Sequence, residues 1–208
     1  MMGCFRLQQI KIVIGTENFE IMKGYIYTLY KGADPGMGFE LTDPVFGKVP
    51  TLGACMPNIR RLVEKGDFIF AISGKHPKVS QYVVGGFEVN KKLDALSAYY
   101  ELPENRLIKK ADGSFSGNII VDENGNQLPY DTHSNFSKRT ENYIIGKKPI
   151  VVEKENEIEK ARLETVSALN SVFHQEGETV FDIVGRWRKM NEKQVEEMIY
   201  FLESFKRA

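Results

Sequence analysis

Residues 65–75 read KGDFIFAISGK and residues 81–89 read QYVVGGFEV. Both are short runs rich in β-branched and aromatic residues bounded by glycine, serine, lysine and aspartate, the pattern of strands limited by turns. The turn-like residues 74–78 join them. A Gly85-Gly86 pair inside the second run predicts a bulge or a sharp barrel bend, because glycine in a strand interior marks a place where backbones approach closely.

Working outward, GYIYTLY at 24–30 reads as a further buried, central strand. The apolar run at 10–14 reads as a short strand or an arm laid on the domain. Residues 31–50 hold four glycines and three prolines and are expected to form a long irregular loop. Residues 58–65 read as a short helix with Pro57 before it and Gly66 closing it, its Ile59, Leu62 and Val63 on one face and Arg60 and Arg61 turned elsewhere. Residues 93–100 look helical with Leu93, Leu96 and Tyr100 on one side. Residues 118–121 are expected to pair across the turn at 123–126, and 142–145 and 149–152 to form two last strands bent at Gly146. From 153 the chain turns acidic and lysine-rich. Ile158, Ala161, Val166, Leu169 and Val172 mark a long amphipathic helix. A final helix is expected from Asn191, where Gln194 completes a capping-box spacing ahead of the stripe Val195, Met198, Ile199, Leu202 and Phe205.

The composition is that of an ordinary folded protein: 42% hydrophobic and 27% charged residues over 208 positions. Apolar runs are far too short to span a bilayer and no secretory leader is legible, so a cytoplasmic protein without membrane contact is expected. Two cysteines and three histidines without CxxC or HxxxH spacing offer no disulfide framework, and no metal or cofactor is expected. Net charge is zero, but residues 1–150 carry 19 Lys/Arg against 16 Asp/Glu, whereas 151–208 carry 9 against 12. Any surface for nucleic acid is therefore expected on the first part.

Neither a GxxxxGK[ST] loop, a placed GxGxxG nor a GxSxG elbow occurs, and no catalytic constellation is legible. What remains is a set of motifs in a fixed order: GYIYTLY, then Asp43-Pro44 leading to TLGACMPNIRR at 51–61, KGDFIFAISGK, Tyr99-Tyr100, Gly117-Asn118-Ile119, His133-Ser134, and NYIIGKKPI at 142–150. This order resembles the bacterial and phage family called nucleotide modification associated domain 2. The strands around Gly66-Asp67 and Gly85-Gly86 resemble the wider PUA-like superfamily with its EVE, YTH and ASCH domains.

The resemblance implies an α+β fold, a PUA-like partly open β-barrel with short flanking helices over residues 8–152, followed by a helical extension over 153–208. It further implies a pocket at one end of the barrel that accepts a modified or flipped base, in DNA in preference to RNA. Such a reader needs aromatic rings, hydroxyls and a positive rim. Tyr99, Tyr100 and Phe136 could supply rings; Thr51, Ser73 with Gly74, and Ser134 hydroxyls or turn contacts; Arg60, Arg61, Lys75, Lys138 and Arg139 phosphate contacts; His133 stands beside them in a polar loop.

Each assignment has a plainer competitor. Tyr100 could pack on the sheet, the arginines could be a solvated helix face, Ser73-Gly74 could only turn the chain, and His133 could be satisfied by backbone. Cys55 reads as a small packing residue, and Trp187 as an anchor for the tail that could also stack a base. Two other functions stay open at this point: an enzyme acting on a nucleotide or modified base through His133, Asp131 or Cys55, and an interaction module in which the C-terminal helices meet a partner or form a homodimer.

Overall fold

A computed structural model of the chain describes residues 22–207, so the segment expected as a strand at 10–14 lies outside the described residues. Among them the chain forms eight strands and six α-helices. The order is β1 (Gly24–Thr28), β2 (Thr51–Leu52), α1 (Pro57–Leu62), β3 (Phe68–Ile72), β4 (Val83–Leu93), α2 (Ala95–Glu101), β5 (Ile108–Lys109) and β6 (Phe115–Ser116). There follow α3 (Phe136–Thr140), β7 (Tyr143–Val151), α4 (Glu155–Phe173), α5 (Val180–Val184), β8 (Trp187–Met190) and α6 (Glu192–Ser204).

Six strands form one mixed sheet in the order β2-β7-β4-β3-β1-β8, and β5-β6 make a separate small ribbon. All five residues of β3 are buried, which is why FIFAI reads as a continuous apolar run rather than an alternating one. β3 pairs parallel to β1 with Gly24 opposite Phe68, and antiparallel to β4. The remaining pairings are antiparallel. The bend expected at Gly85-Gly86 has a steric cause: a Cβ on Gly86 would lie 2.3 Å from the Phe70 ring, and one on Gly85 2.4 Å from the Ile150 carbonyl oxygen. Register shifts fall beside both residues.

The sheet does not close into a barrel. β2 and β8 are its two edges and do not pair with each other. A two-residue β2 is too short to carry the ladder around, and the free edge of β1 is covered by β8 instead. The stretch expected to be only a helical extension thus supplies an edge strand, with Trp187 opposite Tyr27 and Met190 opposite Gly24.

The helices of the same stretch seal the main core. Asn191 caps α6 by accepting from the Gln194 N–H, and the Gln194 side chain accepts in return from the Asn191 N–H, the reciprocal arrangement expected at this spacing. Val195, Met198 and Leu202 of this helix and Phe205 just after it, with Ala161, Leu169 and Val172 of α4, are buried against Tyr25, Ile26, Phe70 and Phe87 of the sheet. The apolar stripes therefore face inward, and on these two helices Leu163 and Tyr200 are the large apolar side chains left outside.

A second, smaller core lies under α2, where Ala95, Ala98 and Leu102 meet Ile119, Val121, Tyr143 and Ile145. This corrects the expected face of α2: small alanines turn to the sheet, and Tyr100 is 64% exposed. The two strands expected at 142–145 and 149–152 are one strand, β7, irregular near Gly146, whose residues serve the two cores alternately. Residues 118–121 make only isolated bridges, Val121 to Gln127 across the expected turn and Ile119 to Arg106.

Candidate functional site

The loop from Asp43 to α1 is held by one carboxylate. Asp43 accepts from the Gly53 N–H at 2.8 Å, the Ala54 N–H at 2.8 Å and the Cys55 N–H, and also from the Asn118 amide at 3.1 Å. The Thr51 hydroxyl accepts from Asn118 at 3.0 Å within the same buried knot, and Tyr143 donates to Asn118 at 2.6 Å. Thr51 is wholly buried, so the hydroxyl contact expected of it gives way to a role in shaping this loop.

Arg60 is corrected in the same way. It is wholly buried, and its guanidinium donates to the carbonyl oxygens of Ala54, Cys55, Arg139, Glu141 and Asn142. Burial pulls its pKa down to about 10, partly offset by Asp43. All its donors are engaged, so it fastens α1 to the segment after α3 and has none left for a phosphate. Ser73 is buried too, its hydroxyl accepting from the Tyr82 N–H. Gly74 passes so close to Tyr30 that a Cβ there would lie 1.9 Å from the Tyr30 carbonyl oxygen.

Between these fastened segments opens a cavity of about 360 Å³, lined by Cys55, Met56, Pro57, Asn58, His133, Arg139, Arg186 and Trp187. Three stretches far apart in sequence meet there: the entry to α1, the loop around α3, and the start of β8. His133 and Arg139 are the expected site residues that the fold brings together. The Asp131 carboxylate lies 2.5 Å from His133 Nδ1, and its other oxygen accepts from Gln127 at 2.7 Å. A carboxylate partner calls for the proton on Nδ1 and leaves Nε2 of a neutral ring as an acceptor. Arg139 donates through Nε to the Ser134 carbonyl and through Nη1 to the Ala54 carbonyl, both at 2.8 Å.

Trp187 and Arg186 complete the wall. Trp187 is the chain's single tryptophan, half-buried, with its ring 6.0 Å from that of Tyr25. Arg186 is exposed, and its guanidinium makes no hydrogen bond or ion pair among the described residues. The sequence signal for this wall was the run Arg186-Trp187-Arg188, but Arg188 turns inward to Gln175 and the Phe173 ring. Beside Trp187 on the sheet, Tyr27 is buried and its hydroxyl has no hydrogen-bond partner among the described residues. Burial foremost, then the Asp43 and Cys55 charges, push its pKa well up, while Arg186 opposes them. The Cys55 thiol is likewise pushed far above its ordinary value by burial first and by Asp43 next, so it is not an activated nucleophile.

The other expected residues lie elsewhere. Tyr99 is covered by the Arg106 guanidinium at 3.8 Å, Tyr100 donates to the Glu123 carbonyl, and Phe136 packs against the smaller core. Ser134 and Lys138 are exposed neighbours of the cavity residues without lining it, and Arg61 is exposed on α1. Lys75 lines a different cavity, with Lys31. No group of three or more His, Cys, Asp or Glu poised for a metal occurs among the described residues, and no helix there is long and apolar enough to cross a membrane.

No curated protein and no solved structure matches the chain. The family model described as nucleotide modification associated domain 2 matches residues 36–146, more than half of the chain. That match takes in the Asp43 knot, α1, the central strands and the His133 loop, and stops short of Trp187; the chain belongs to the nucleotide modification associated domain 2 family.

Proposed function

We propose that the chain is a nucleic-acid-binding module that seats one extruded, modified base of DNA in the cavity at Trp187, within a DNA-modification or phage-defence system. The observation that carries this reading is the meeting of an indole, an oriented imidazole and two arginines in one cavity without a carboxylate in its lining. A volume of about 360 Å³ falls at the small end of ligand sites, about 300–1,000 Å³, and suits a single base with part of its sugar. Extruding a base costs a few kcal/mol, and stacking on an aromatic ring returns about 1–3 kcal/mol per base. Trp187 supplies that ring. In this reading His133 and Asn58 of the lining contact the exposed edge, and Arg186, whose guanidinium has no protein partner among the described residues, answers a phosphate. A PUA-like placement, with an open sheet in place of a barrel, is in keeping with this reading.

The test uses the same indole. Emission of Trp187 is followed while single-stranded and duplex oligonucleotides, each with an unmodified or a modified base, are added across a salt series. Binding with quenching, weakening as salt rises and preferring one base, is expected. Unchanged emission with every oligonucleotide would sink the proposal.

A second reading rests on the Asp131–His133 pair, whose geometry is that of an oriented general base. In that case the cavity acts on the seated base or nucleotide. Chromatography of the oligonucleotide after incubation decides: a released base or altered nucleotide that disappears in His133→Gln supports the enzyme, and intact oligonucleotide excludes it for the substrates tried.

A further inference from the structure

A second cavity of about 360 Å³ lies next to the first, lined by Thr28, Leu29, Lys31, Lys75, Gln81, Thr179 and Phe181. Their linings are linked through Thr28: its N–H donates to the Arg186 carbonyl at 3.1 Å, and its hydroxyl to the Gly185 carbonyl at 3.2 Å. Thr28 therefore borders the second cavity and Arg186 the first across a single rung of the β1–β8 edge.

The linings share a chemistry. Neither includes a carboxylate, and each presents two lysines or two arginines. Two other cavities of the molecule differ: one is lined by Glu196 and Glu197, the other by Glu153 and Glu203 beside its lysines. Lys31 and Lys75 are exposed and form no ion pair among the described residues. Phe181 stands 72% exposed at the same cavity, an unpacked ring on a short helix. Asp182 follows it, but its carboxylate is turned back onto the Thr179 N–H and hydroxyl at 2.8 Å as the cap of α5.

Free cations beside an exposed ring, one hydrogen-bonded residue away from the lining of a base-sized cavity, are the elements of a single-strand track. We propose that the lysine cavity receives the nucleotide adjoining the one held at Trp187, with Lys31 and Lys75 on its phosphates and Phe181 under its base, so that the protein reads a single-stranded segment of two or more nucleotides. This rests on the reading of the Trp187 cavity given above.

The test is a length series, from mononucleotide to decanucleotide in both DNA and RNA form, titrated against the unaltered chain, the double variant Lys31→Gln/Lys75→Gln, and Phe181→Ala. Trp187 emission reports the mononucleotide and anisotropy of an end label the longer strands. Affinity is expected to climb between one and four nucleotides. The lysine variant should bind the longer strands about tenfold more weakly, with a log–log salt slope shallower by about 1.4 for two phosphates of a single strand. Its affinity for the mononucleotide should stay unchanged, as should its melting temperature. Equal affinity and slope in variant and parent, or no gain with length, overturns the track while leaving the Trp187 cavity standing. A parent chain that binds no nucleotide of any length overturns both.

Discussion

Arg60 and Arg139 donate to the same acceptor, the Ala54 carbonyl oxygen, and Arg60 also donates to the carbonyl of Arg139 at 3.1 Å. One arginine thus holds the other at the cavity wall. Removing the buried guanidinium would strand up to four carbonyl oxygens, since Ala54 keeps Arg139 as a donor, each costing about 1–3 kcal/mol if left without one. Arg60→Ala is expected to lose at least ~3 kcal/mol of stability by urea denaturation, whereas Arg61→Ala, on the exposed side of the same helix, should stay within about 0.5 kcal/mol. Similar losses in both variants would contradict the assigned role.

Neighbouring arginines in one short motif therefore do different work, and nothing in their sequence separates them. Three of the five carbonyls that hold Arg60 lie 79 to 82 residues away. A charge was read as surface because local spacing cannot report a ring of distant carbonyls. What could be read were features whose signature lies within a few consecutive residues: the uninterrupted apolar run of β3, the glycine pair of β4, and the Asn191–Gln194 cap of α6. β8 was hidden because Trp187–Met190 is only four residues long and lies between helices, where the period of its neighbours dominates. The cavity was half legible. His133 and Arg139 stood out in a polar loop, but their meeting with Trp187 depends on an edge strand that only the folded sheet defines.

Gly74 offers a sharper steric test than any hydrogen bond. Its backbone N–H donates to the Ala33 carbonyl at 2.7 Å, and a Cβ would fall 1.9 Å from backbone oxygen, which has no rotamer through which to yield. Gly74→Ala is expected to cost about 1–3 kcal/mol as overpacking. Gly47→Ala, where a Cβ meets nothing within 4 Å, is the control and should be near neutral. Thermal melts of the two variants side by side decide it.

Cys55 lines the cavity but should not behave as a reactive thiol. Burial and the Asp43 carboxylate both hold it protonated, and the thiolate is the reacting form. In a Cys4→Ser background, alkylation by iodoacetamide at pH 8 is expected to proceed far more slowly than for a free cysteine, and to reach the free rate only in denaturant. Fast labelling of the folded chain would mean that the Asp43 knot opens readily.

The Glu157 carboxylate ties the start of α4 to the end of the chain. Burial alone would raise its pKa, but the Lys206 ammonium at 2.6 Å and the N–H groups of Glu153 and Lys154 outweigh that and hold it below its ordinary 4.5. A carboxyl depressed in the folded state contributes its full stability above the unfolded value and loses it as pH falls through the folded value. Glu157→Gln should therefore be less stable than the parent by a constant margin above about pH 5, and the margin should shrink below pH 4.5 as the parent carboxylate takes up its proton. Urea midpoints of both proteins at pH 6, 4 and 3 measure it. A margin that stays the same at all three values would show that Lys206 senses the shape of residue 157 and not its charge.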